Sequence, residues 1–227
     1  FRPVTPALDL TPLALSLRLA AVTAVILLIL GTPLAWWLAQ GRSRVRFVVE
    51  ALVVLPVVLP PTVLGFYLLQ LLGANGPLSW LWSQVDVRLV FSFTGLVIGS
   101  VIFSLPFVVY PLKSVFEKVP RAQLEAAATL GARPLDRFFS VAVPASLSGF
   151  LAAAVLAFAH TLGEFGVVLM LGGNIPGETQ VLSIAIYNHV EQLQYSAAHV
   201  LSAGLVAFSF VVLVVLHFTH DRRKAGT

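Results

Sequence analysis

The stretch LEAAATLGARPLDRFFSVAVPAS, residues 124–146, is a polar interruption in an otherwise apolar chain. Residues 121–130 are good helix formers, and Pro120 suits the first position of that helix. Gly131 is suited to the left-handed conformation that ends a helix, and Pro134 suits the start of a second one. The stretch therefore predicts a helical hairpin that runs into the next apolar segment after Pro144. By shape alone, an ordinary loop helix that lies on the membrane is the alternative.

The rest of the chain has the composition of an integral membrane protein. Of its 227 residues, 58% are hydrophobic and only 11% are charged. A transmembrane helix needs about 20 apolar residues. Five segments are long enough, namely residues 13–39, 47–72, 89–112, 145–170 and 197–218. We therefore expect one all-α membrane domain over residues 1–227, with five transmembrane helices.

Three prolines interrupt the second of these segments. Pro56, Pro60 and Pro61 lie within LPVVLPPTVLG, and each lacks the amide that would continue a helix. We expect a kink whose freed carbonyl groups are satisfied by neighbouring helices or by water in a cavity. Pro60 and Pro61 are therefore candidates for a pathway through the membrane, and a kink that serves packing alone is the alternative.

Lysine and arginine are concentrated on one side of the predicted membrane domain. The first connection carries Arg42, Arg44 and Arg46, and further basic residues lie in the segment 113–144 and in the C-terminal tail. Such an excess marks the cytoplasmic side of a membrane. We therefore expect the N-terminus outside, the C-terminus inside and the polar hairpin in the cytoplasm.

Several kinds of chemistry are excluded by the residues present. The chain has no cysteine, which rules out disulfides, thiolate metal sites and cysteine nucleophiles. It has no glycine-rich phosphate-binding loop ending in Gly-Lys, so it does not bind ATP by that route, and it has no nucleic-acid-binding motif. An intramembrane hydrolase would need a recognisable catalytic motif, and a secondary transporter usually shows internal repeats; neither is visible.

The polar hairpin resembles the EAA loop of ABC-importer permeases. The matching pattern is Glu125-Ala126-Ala127, three residues, Gly131, nine residues, Val141, one residue and Val143-Pro144. Only Val143 departs from the usual pattern, which has leucine there. The resemblance implies a type I importer permease (MetI-like) fold, with a coupling loop at 113–144 whose helical part, 121–137, docks on a separate ATPase subunit. The docking residues that it implies are Glu125, Ala126, Ala127, Gly131, Arg133 and Pro144.

Three further segments are similar to the molybdate permeases within that family. They are LPPTVLGFYLLQLLG (59–73), FAHTLGEFGVV (158–168) and GNIPGETQVLSIAIYNHV (173–190). The resemblance implies import of molybdate, with tungstate as a further substrate, across a bacterial inner membrane. Sulfate and thiosulfate permeases are similar too, and they are the alternative.

The resemblance also implies a set of partners. They are a second copy of the chain, two ATP-binding cassette subunits that bind ATP and Mg²⁺, an extracytoplasmic molybdate-binding protein and membrane lipid. This chain itself would then need no cofactor or metal, and it would be no enzyme. The turn-rich segment before a short predicted helix at the outer mouth is the candidate contact with the binding protein. Its residues are Asn174, Pro176, Gly177, Glu178 and Thr179.

Glu164 is the most unusual polar residue of the predicted spans. A carboxylate inside a bilayer is costly unless it is paired or hydrated, and His160 shares its face of the predicted helix. Two ligands are too few for a zinc site, and a carboxylate has the wrong sign to bind an oxyanion. We expect that Glu164 hydrogen-bonds backbone groups where Gly163 and Gly166 loosen the helix, and that it shapes a gate. Simple packing is the alternative.

Overall fold

The computed structural model of this protein describes residues 9–41, 43–81 and 88–224. All regular elements in these ranges are helical, which confirms the all-α prediction. The α-helices are α1 (Thr11–Gln40), α2 (Val45–Val58), α3 (Pro61–Leu72), α4 (Phe93–Ser104), α5 (Pro106–Phe116), α6 (Arg121–Thr129), α7 (Pro134–Arg137), α8 (Val143–Ala145), α9 (Leu147–Gly163), α10 (Gly166–Gly172), α11 (Leu182–Glu191) and α12 (Tyr195–Lys224). A 3₁₀ turn at Ser79–Leu81 and a π-helical turn at Phe138–Ala142 complete the list.

The described helices allow two to five membrane crossings. By length and composition, α1 and the part Tyr195–Val214 of α12 could each cross a bilayer alone. Three bent pairs could each form one more span: α2 with α3, bent by 112°, α4 with α5, bent by 42°, and Pro134–Ala145 with α9, bent by 76°. Each of the five predicted segments overlaps one of these candidates.

The predicted kink in the second segment is present and is larger than a simple kink. Helix α2 ends at Val58, and α3 begins at Pro61 after Pro60 adopts an extended conformation with ψ of 133°. A residue that precedes a proline is pushed out of the helical region, and Pro61 itself cannot donate a helical hydrogen bond. The two halves therefore turn sharply at the Pro60-Pro61 pair.

The prediction of a continuous helix over 145–170 is wrong. Helix α9 ends at Gly163, Glu164 is extended with ψ of 138°, and the separate helix α10 begins at Gly166. Glycine is a poor helix former, and the Glu164 side chain offers the following amides a partner other than a helical carbonyl. The chain therefore breaks at Glu164 instead of passing straight through it.

Helix α1 is at the centre of the largest core, between α5 and α9. Side chains with no exposed surface meet there, namely Leu27, Leu38, Val108, Leu112, Ala153 and Ala157. A Cβ atom at Gly31 would lie 2.8 Å from Cγ1 of Val108, so α1 and α5 approach closely because position 31 has no side chain. Small residues at helix contacts are typical of membrane proteins, in which close packing replaces the hydrophobic effect.

A second packing unit surrounds the short helix α10, which contacts α3 and α4. A Cβ atom at Gly65 of α3 would lie 2.7 Å from Cβ of Met170, so these helices also meet through a glycine. Helix α11 is fixed to α1 by a hydrogen bond of 2.7 Å from the Leu182 amide to the Ser16 hydroxyl. This unit holds the break at Glu164 in place.

Candidate functional site

The break at Glu164 is closed by the side chain of that residue. The amide of Val167 donates to Oε1 of Glu164 at 2.6 Å, and the amide of Val168 donates to Oε2 at 3.2 Å. Glu164 is only 5% exposed. These amides begin α10 and have no helical carbonyl to bind, and a carboxylate there also complements the helix dipole. The predicted hydrogen bonding of Glu164 to backbone groups is therefore present.

The break also changes the relation between Glu164 and His160. The prediction that they share a helix face is wrong, because α9 ends at Gly163 and the extended Glu164 turns toward α10. His160 instead faces α4 and α5, where its Nδ1 lies 2.9 Å from the Ser104 hydroxyl and its ring stacks on Phe107 at 3.9 Å between centroids. In the part of the chain that the structure describes, no three His, Cys, Asp or Glu side chains come together as a metal site would need.

A cavity of about 530 Å³ adjoins the break. Its lining residues come from α3, α4, α9, α10 and the break between the last two, and are Pro61, Thr62, Phe103, Ala159, His160, Gly163, Glu164, Phe165 and Gly166. Four of the five predicted pathway residues therefore lie around one cavity, although Pro61 and the other three come from segments more than 100 positions apart in the chain. Pro60 is the exception, since it precedes α3 and is not part of the lining.

Close packing explains why Gly166 and Pro61 are neighbours in this wall. A Cβ atom at Gly166 would lie 2.7 Å from Cβ of Pro61. Thr62 and Phe103 also line the cavity, and the sequence analysis did not select them. Thr62 could have been selected because it directly follows the proline pair, whereas nothing in the sequence marks Phe103.

The polar hairpin is formed as predicted and is exposed. Gly131 has φ of +86°, and the two hydrogen bonds of a left-handed helix ending are present: Ala132 N–H to the Ala127 carbonyl and Gly131 N–H to the Ala128 carbonyl, both 3.0 Å. Helix α6 begins at Arg121, so Pro120 precedes the helix instead of occupying its first position. The second helix starts at Pro134, as predicted.

The surface of the hairpin is unusual for its apolar content. None of the α6 side chains, all of which the structure describes, is buried. Large apolar side chains that the sequence analysis did not select are exposed beside it: Leu130 is 89% exposed, Leu135 is 70% exposed and Phe139 is 65% exposed. The predicted docking residues Glu125, Ala126, Arg133 and Pro144 are exposed, and Ala127 is half-buried. The backbone amide of Arg133 donates to Asp136 at 3.1 Å and so fixes the start of α7.

An ion-pair cluster fixes the base of this hairpin to the first connection. Nη2 of Arg46 lies 3.1 Å from Glu117, and its Nη1 donates to the Gly41 carbonyl at 2.9 Å. Lys113 pairs with Glu50 and lies 3.8 Å from Glu117. The cluster joins α2 to the end of α5, and the hairpin begins a few residues after α5. The positive side chains that predicted orientation are therefore also used to hold helices together.

The turn at 174–179 before α11, which is called the outer turn because it is predicted to face outward, is mostly exposed, with one exception. Asn174, Pro176, Gly177 and Glu178 are exposed, and the amide side chain of Asn174 is paired with Asn188 of α11 at 2.9 Å. Thr179 has no exposed surface, and its hydroxyl donates to the Gly172 carbonyl at 2.6 Å. The prediction that Thr179 is a contact surface is therefore wrong for this conformation, because its side chain holds the turn together from inside.

Helix α11 connects this outer turn to the break. The Ser183 hydroxyl donates to the Glu164 carbonyl at 2.6 Å, and the rings of Phe165 and Tyr187 lie 5.1 Å apart. The Tyr187 hydroxyl donates to Glu191 at 2.6 Å, and this hydrogen bond raises the pKa of Tyr187 above its ordinary value. A movement of α11 would therefore be transmitted to the break through the contacts of Ser183 with Glu164 and of Tyr187 with Phe165.

Residues 31–224 match the model of a family described as "Binding-protein-dependent transport system inner membrane component". The chain belongs to this family. Membership confirms the resemblance seen in the hairpin and in the later segments. It makes the chain a membrane component of a transport system, and it argues against an intramembrane hydrolase or a secondary transporter.

Two relatives and one solved structure define the similarity further. The chain is 52% identical over 219 residues to the molybdenum transport system permease protein ModB of Azotobacter vinelandii, covering 96% of each chain. It is 31% identical over 207 residues to the sulfate transport system permease protein CysT of Salmonella typhimurium, covering 91% of this chain and 75% of that one. A bacterial alginate ABC transporter, solved in complex with its alginate pentasaccharide-bound periplasmic protein, matches with a TM-score of 0.72 at 17% identity, covering 97% of this chain and 80% of that one. The fold is therefore that of ABC importer permeases.

Proposed function

We propose that this chain is the permease subunit of an ATP-driven importer of molybdate, with tungstate as a second substrate. The observation that carries this proposal is the 52% identity to a molybdenum permease over 96% of both chains. The identity to a sulfate permease is 31%, which makes sulfate the second candidate. The segments 59–73 and 158–168, which resemble molybdate permeases, supply all the residues that line the Glu164 cavity except Phe103, so the similarity extends to most of the site.

The proposed topology has five spans, with the N-terminus outside and the C-terminus in the cytoplasm of a bacterial inner membrane. The three bent helix pairs supply the spans that α1 and α12 do not. Arg46 and Lys113 both lie near Glu117 in the ion-pair cluster, which supports placing the first connection and the base of the hairpin on the same side of the membrane. That shared position supports the assignment of the positive side to the cytoplasm.

We propose that two copies of the chain enclose the pathway. The wall formed by Pro61, Gly163, Glu164 and Gly166 opens to the outside of the single chain, so it needs a second wall to exclude lipid. Helix α2 also has large exposed apolar side chains, with Phe47 at 75% and Val58 at 73% exposure. A second copy could cover some of this surface, and lipid could cover the rest. Nucleic acid is not among the proposed partners.

The hairpin supplies the proposed contact with the ATPase. Two ATP-binding cassette subunits, which hold ATP and Mg²⁺, would each receive α6 and the exposed residues Leu130 and Leu135 of one permease copy. A short helix with no buried side chain gains little stability from packing within its own chain, so a partner that covers it would stabilise it. The left-handed Gly131 fixes the angle at which this helix is presented, which is the property that a docking element needs.

The outer turn supplies the proposed contact with the extracytoplasmic binding protein. Asn174, Pro176, Gly177 and Glu178 form the exposed part of this surface. Tight selection of the oxyanion would take place in the binding protein, because the residues that line the cavity include no lysine or arginine. Weak contacts in the pathway would then permit release toward the cytoplasm.

The proposal is tested by competition for uptake of labelled molybdate. The complex is reconstituted in sealed vesicles with its ATPase subunits and binding protein, and excess tungstate or sulfate is added. We expect ATP-dependent uptake that tungstate inhibits and sulfate leaves nearly unchanged. Inhibition by sulfate without inhibition by tungstate would assign the chain to the sulfate permeases, and absence of any ATP-dependent oxyanion uptake would overturn the proposal.

A further inference from the structure

The His160 side chain has a defined orientation in the wall of the cavity. It lies in the last turn of α9, with its ring stacked on Phe107 at 3.9 Å and tilted against Phe103 at 4.9 Å between centroids. Two aromatic contacts fix the plane of the imidazole. The ring therefore presents its nitrogen atoms in fixed directions.

One of these nitrogen atoms is bound to the protein. Nδ1 lies 2.9 Å from the Ser104 hydroxyl oxygen, which in turn lies 3.1 Å from the hydroxyl oxygen of Thr161. Ser104 is fully buried and Thr161 is 3% exposed, so both hydroxyl protons need partners within the protein. The three polar groups form one short chain of hydrogen bonds.

Which group donates and which accepts in this series of hydrogen bonds follows from the number of hydroxyl protons that need an acceptor. Among the described residues, Ser104 is the one hydrogen-bonding partner of the Thr161 hydroxyl. If Thr161 donates to Ser104 and Ser104 donates to Nδ1, each buried hydroxyl proton is used. The reverse direction would leave the proton of Thr161 without an acceptor, at a cost that a buried hydroxyl rarely bears. The neutral imidazole therefore carries its proton on Nε2.

The proton on Nε2 is carried by His160, which is one of the residues that line the cavity. No protein acceptor for Nε2 of His160 occurs among the described residues. The Glu164 carboxylate lines the same cavity, but its oxygens accept from the amides of Val167 and Val168. The Thr62 hydroxyl is a second uncharged donor in this wall. The wall of the cavity therefore includes two residues with a neutral N–H or O–H donor, His160 and Thr62, beside a carboxylate that accepts two backbone amides.

We propose that Nε2–H of His160, assisted by the Thr62 hydroxyl, is a direct contact for the oxyanion during its passage. This inference rests on the proposed function. A neutral donor suits a transported dianion, because it offers a hydrogen bond without the fixed positive charge that would retain the ion. The role of Ser104 and Thr161 is to hold His160 in the tautomer that donates.

Substitution of His160 by asparagine or glutamine tests the roles of its two ring nitrogen atoms separately. In His160→Asn the amide can reach Ser104 but places no donor at the position of Nε2. In His160→Gln an amide N–H can reach that position, and in His160→Phe the ring contacts remain without any donor. The matched control is His199→Asn, since His199 is an exposed histidine on α12, away from this cavity.

Initial rates of ATP-dependent molybdate uptake are measured in sealed vesicles, together with copurification of the ATPase subunit as a test of folding and assembly. We expect the Asn and Phe variants of His160 to lose about tenfold to one-hundredfold in uptake, as for loss of a hydrogen bond to an ion. We expect His160→Gln to retain most of the rate and His199→Asn to retain all of it.

Three results would overturn the inference. Wild-type uptake in the assembled Asn and Phe variants would show that no donor at this position is needed. Higher uptake by the Phe variant than by the Gln variant would assign the ring a packing role, and so would failure of all three His160 variants to assemble. If the wild-type complex carries no oxyanion, the proposed function itself fails, and that result is separate because it needs no variant.

Discussion

The polar hairpin and the break at Glu164 both interrupt helices at glycine, but they are stabilised in different ways. In the hairpin, the bonds that close α6 join residues within five positions of one another, and no side chain of α6 is buried. At the break, a buried carboxylate caps α10, and Ser183 reaches the Glu164 carbonyl from α11. The break is complete within this chain, whereas the hairpin leaves a surface for a partner. Changes at the break should therefore affect the stability of the chain, and changes in the hairpin should affect assembly.

The largest effect is expected for Glu164→Ala. The substitution leaves the amides of Val167 and Val168 without acceptors in a buried site, and each lost hydrogen bond to a charged group costs about 1.5–3 kcal/mol. We expect a clear fall in the Tm of the purified permease in detergent. Glu164→Gln keeps one oxygen acceptor and should lose about half as much. Equal Tm values for the wild type and both variants would show that the carboxylate does not hold the break.

The hairpin was predictable from sequence because its signals are local. Pro120, Gly131 and Pro134 act through their own backbone preferences, so the order of residues was enough to place both helices. Hydropathy also located apolar segments that overlap each candidate span, since hydropathy depends on composition along the chain. These features needed no knowledge of which segments meet in space.

The break and the contacts around it depend on packing that the sequence does not display. The sequence predicted that Glu164 hydrogen-bonds backbone groups, but it did not indicate that the helix ends at Gly163 and that the carboxylate caps a separate helix. Arg46 and Glu117 are 71 positions apart in the chain, so their pairing could not be deduced from spacing. Thr179 was selected as part of an exposed turn, but its hydroxyl is drawn inward by the Gly172 carbonyl.

The second-largest effect is expected in the hairpin, for Gly131→Val. Position 131 has φ of +86°, and a Cβ atom there would meet nothing within 4 Å, so the cost is conformational and not steric. A left-handed conformation costs a residue with a side chain about 1–2 kcal/mol. We expect ATPase activity stimulated by the loaded binding protein to fall by about five- to thirtyfold, with an unchanged Tm of the isolated permease.

Gly131→Asn is the matched control for that substitution. Asparagine tolerates the left-handed region better than other residues with side chains, so we expect this variant to keep most of the stimulated activity. Equal activity in the Val and Asn variants would show that the left-handed turn does not matter for coupling. A large fall in the Tm of the Val variant would contradict the view that the hairpin contributes little to the stability of the chain.

The smallest effect is expected for Ser183→Ala, at the contact between α11 and the break. The variant removes one hydrogen bond to the Glu164 carbonyl, which contributes about 0.5–1.5 kcal/mol. We expect a small fall in Tm together with weaker stimulation of the ATPase by the binding protein. Stimulation equal to that of the wild type would show that the outer helix does not communicate with the break through this contact.

The central claim is that the exposed hairpin is cytoplasmic and is covered by the ATPase subunit. The chain has no native cysteine, so single cysteines can be placed at Gln123 in the hairpin and at Glu178 in the outer turn, both of which are exposed. Labelling with a membrane-impermeant thiol reagent is measured in sealed right-side-out vesicles, and in detergent with and without the ATPase subunit. We predict that Gln123→Cys reacts only in detergent and is protected by the ATPase, whereas Glu178→Cys reacts from outside and is unaffected by it. Reaction of Gln123→Cys from outside, or equal reaction with and without the ATPase, would contradict the claim.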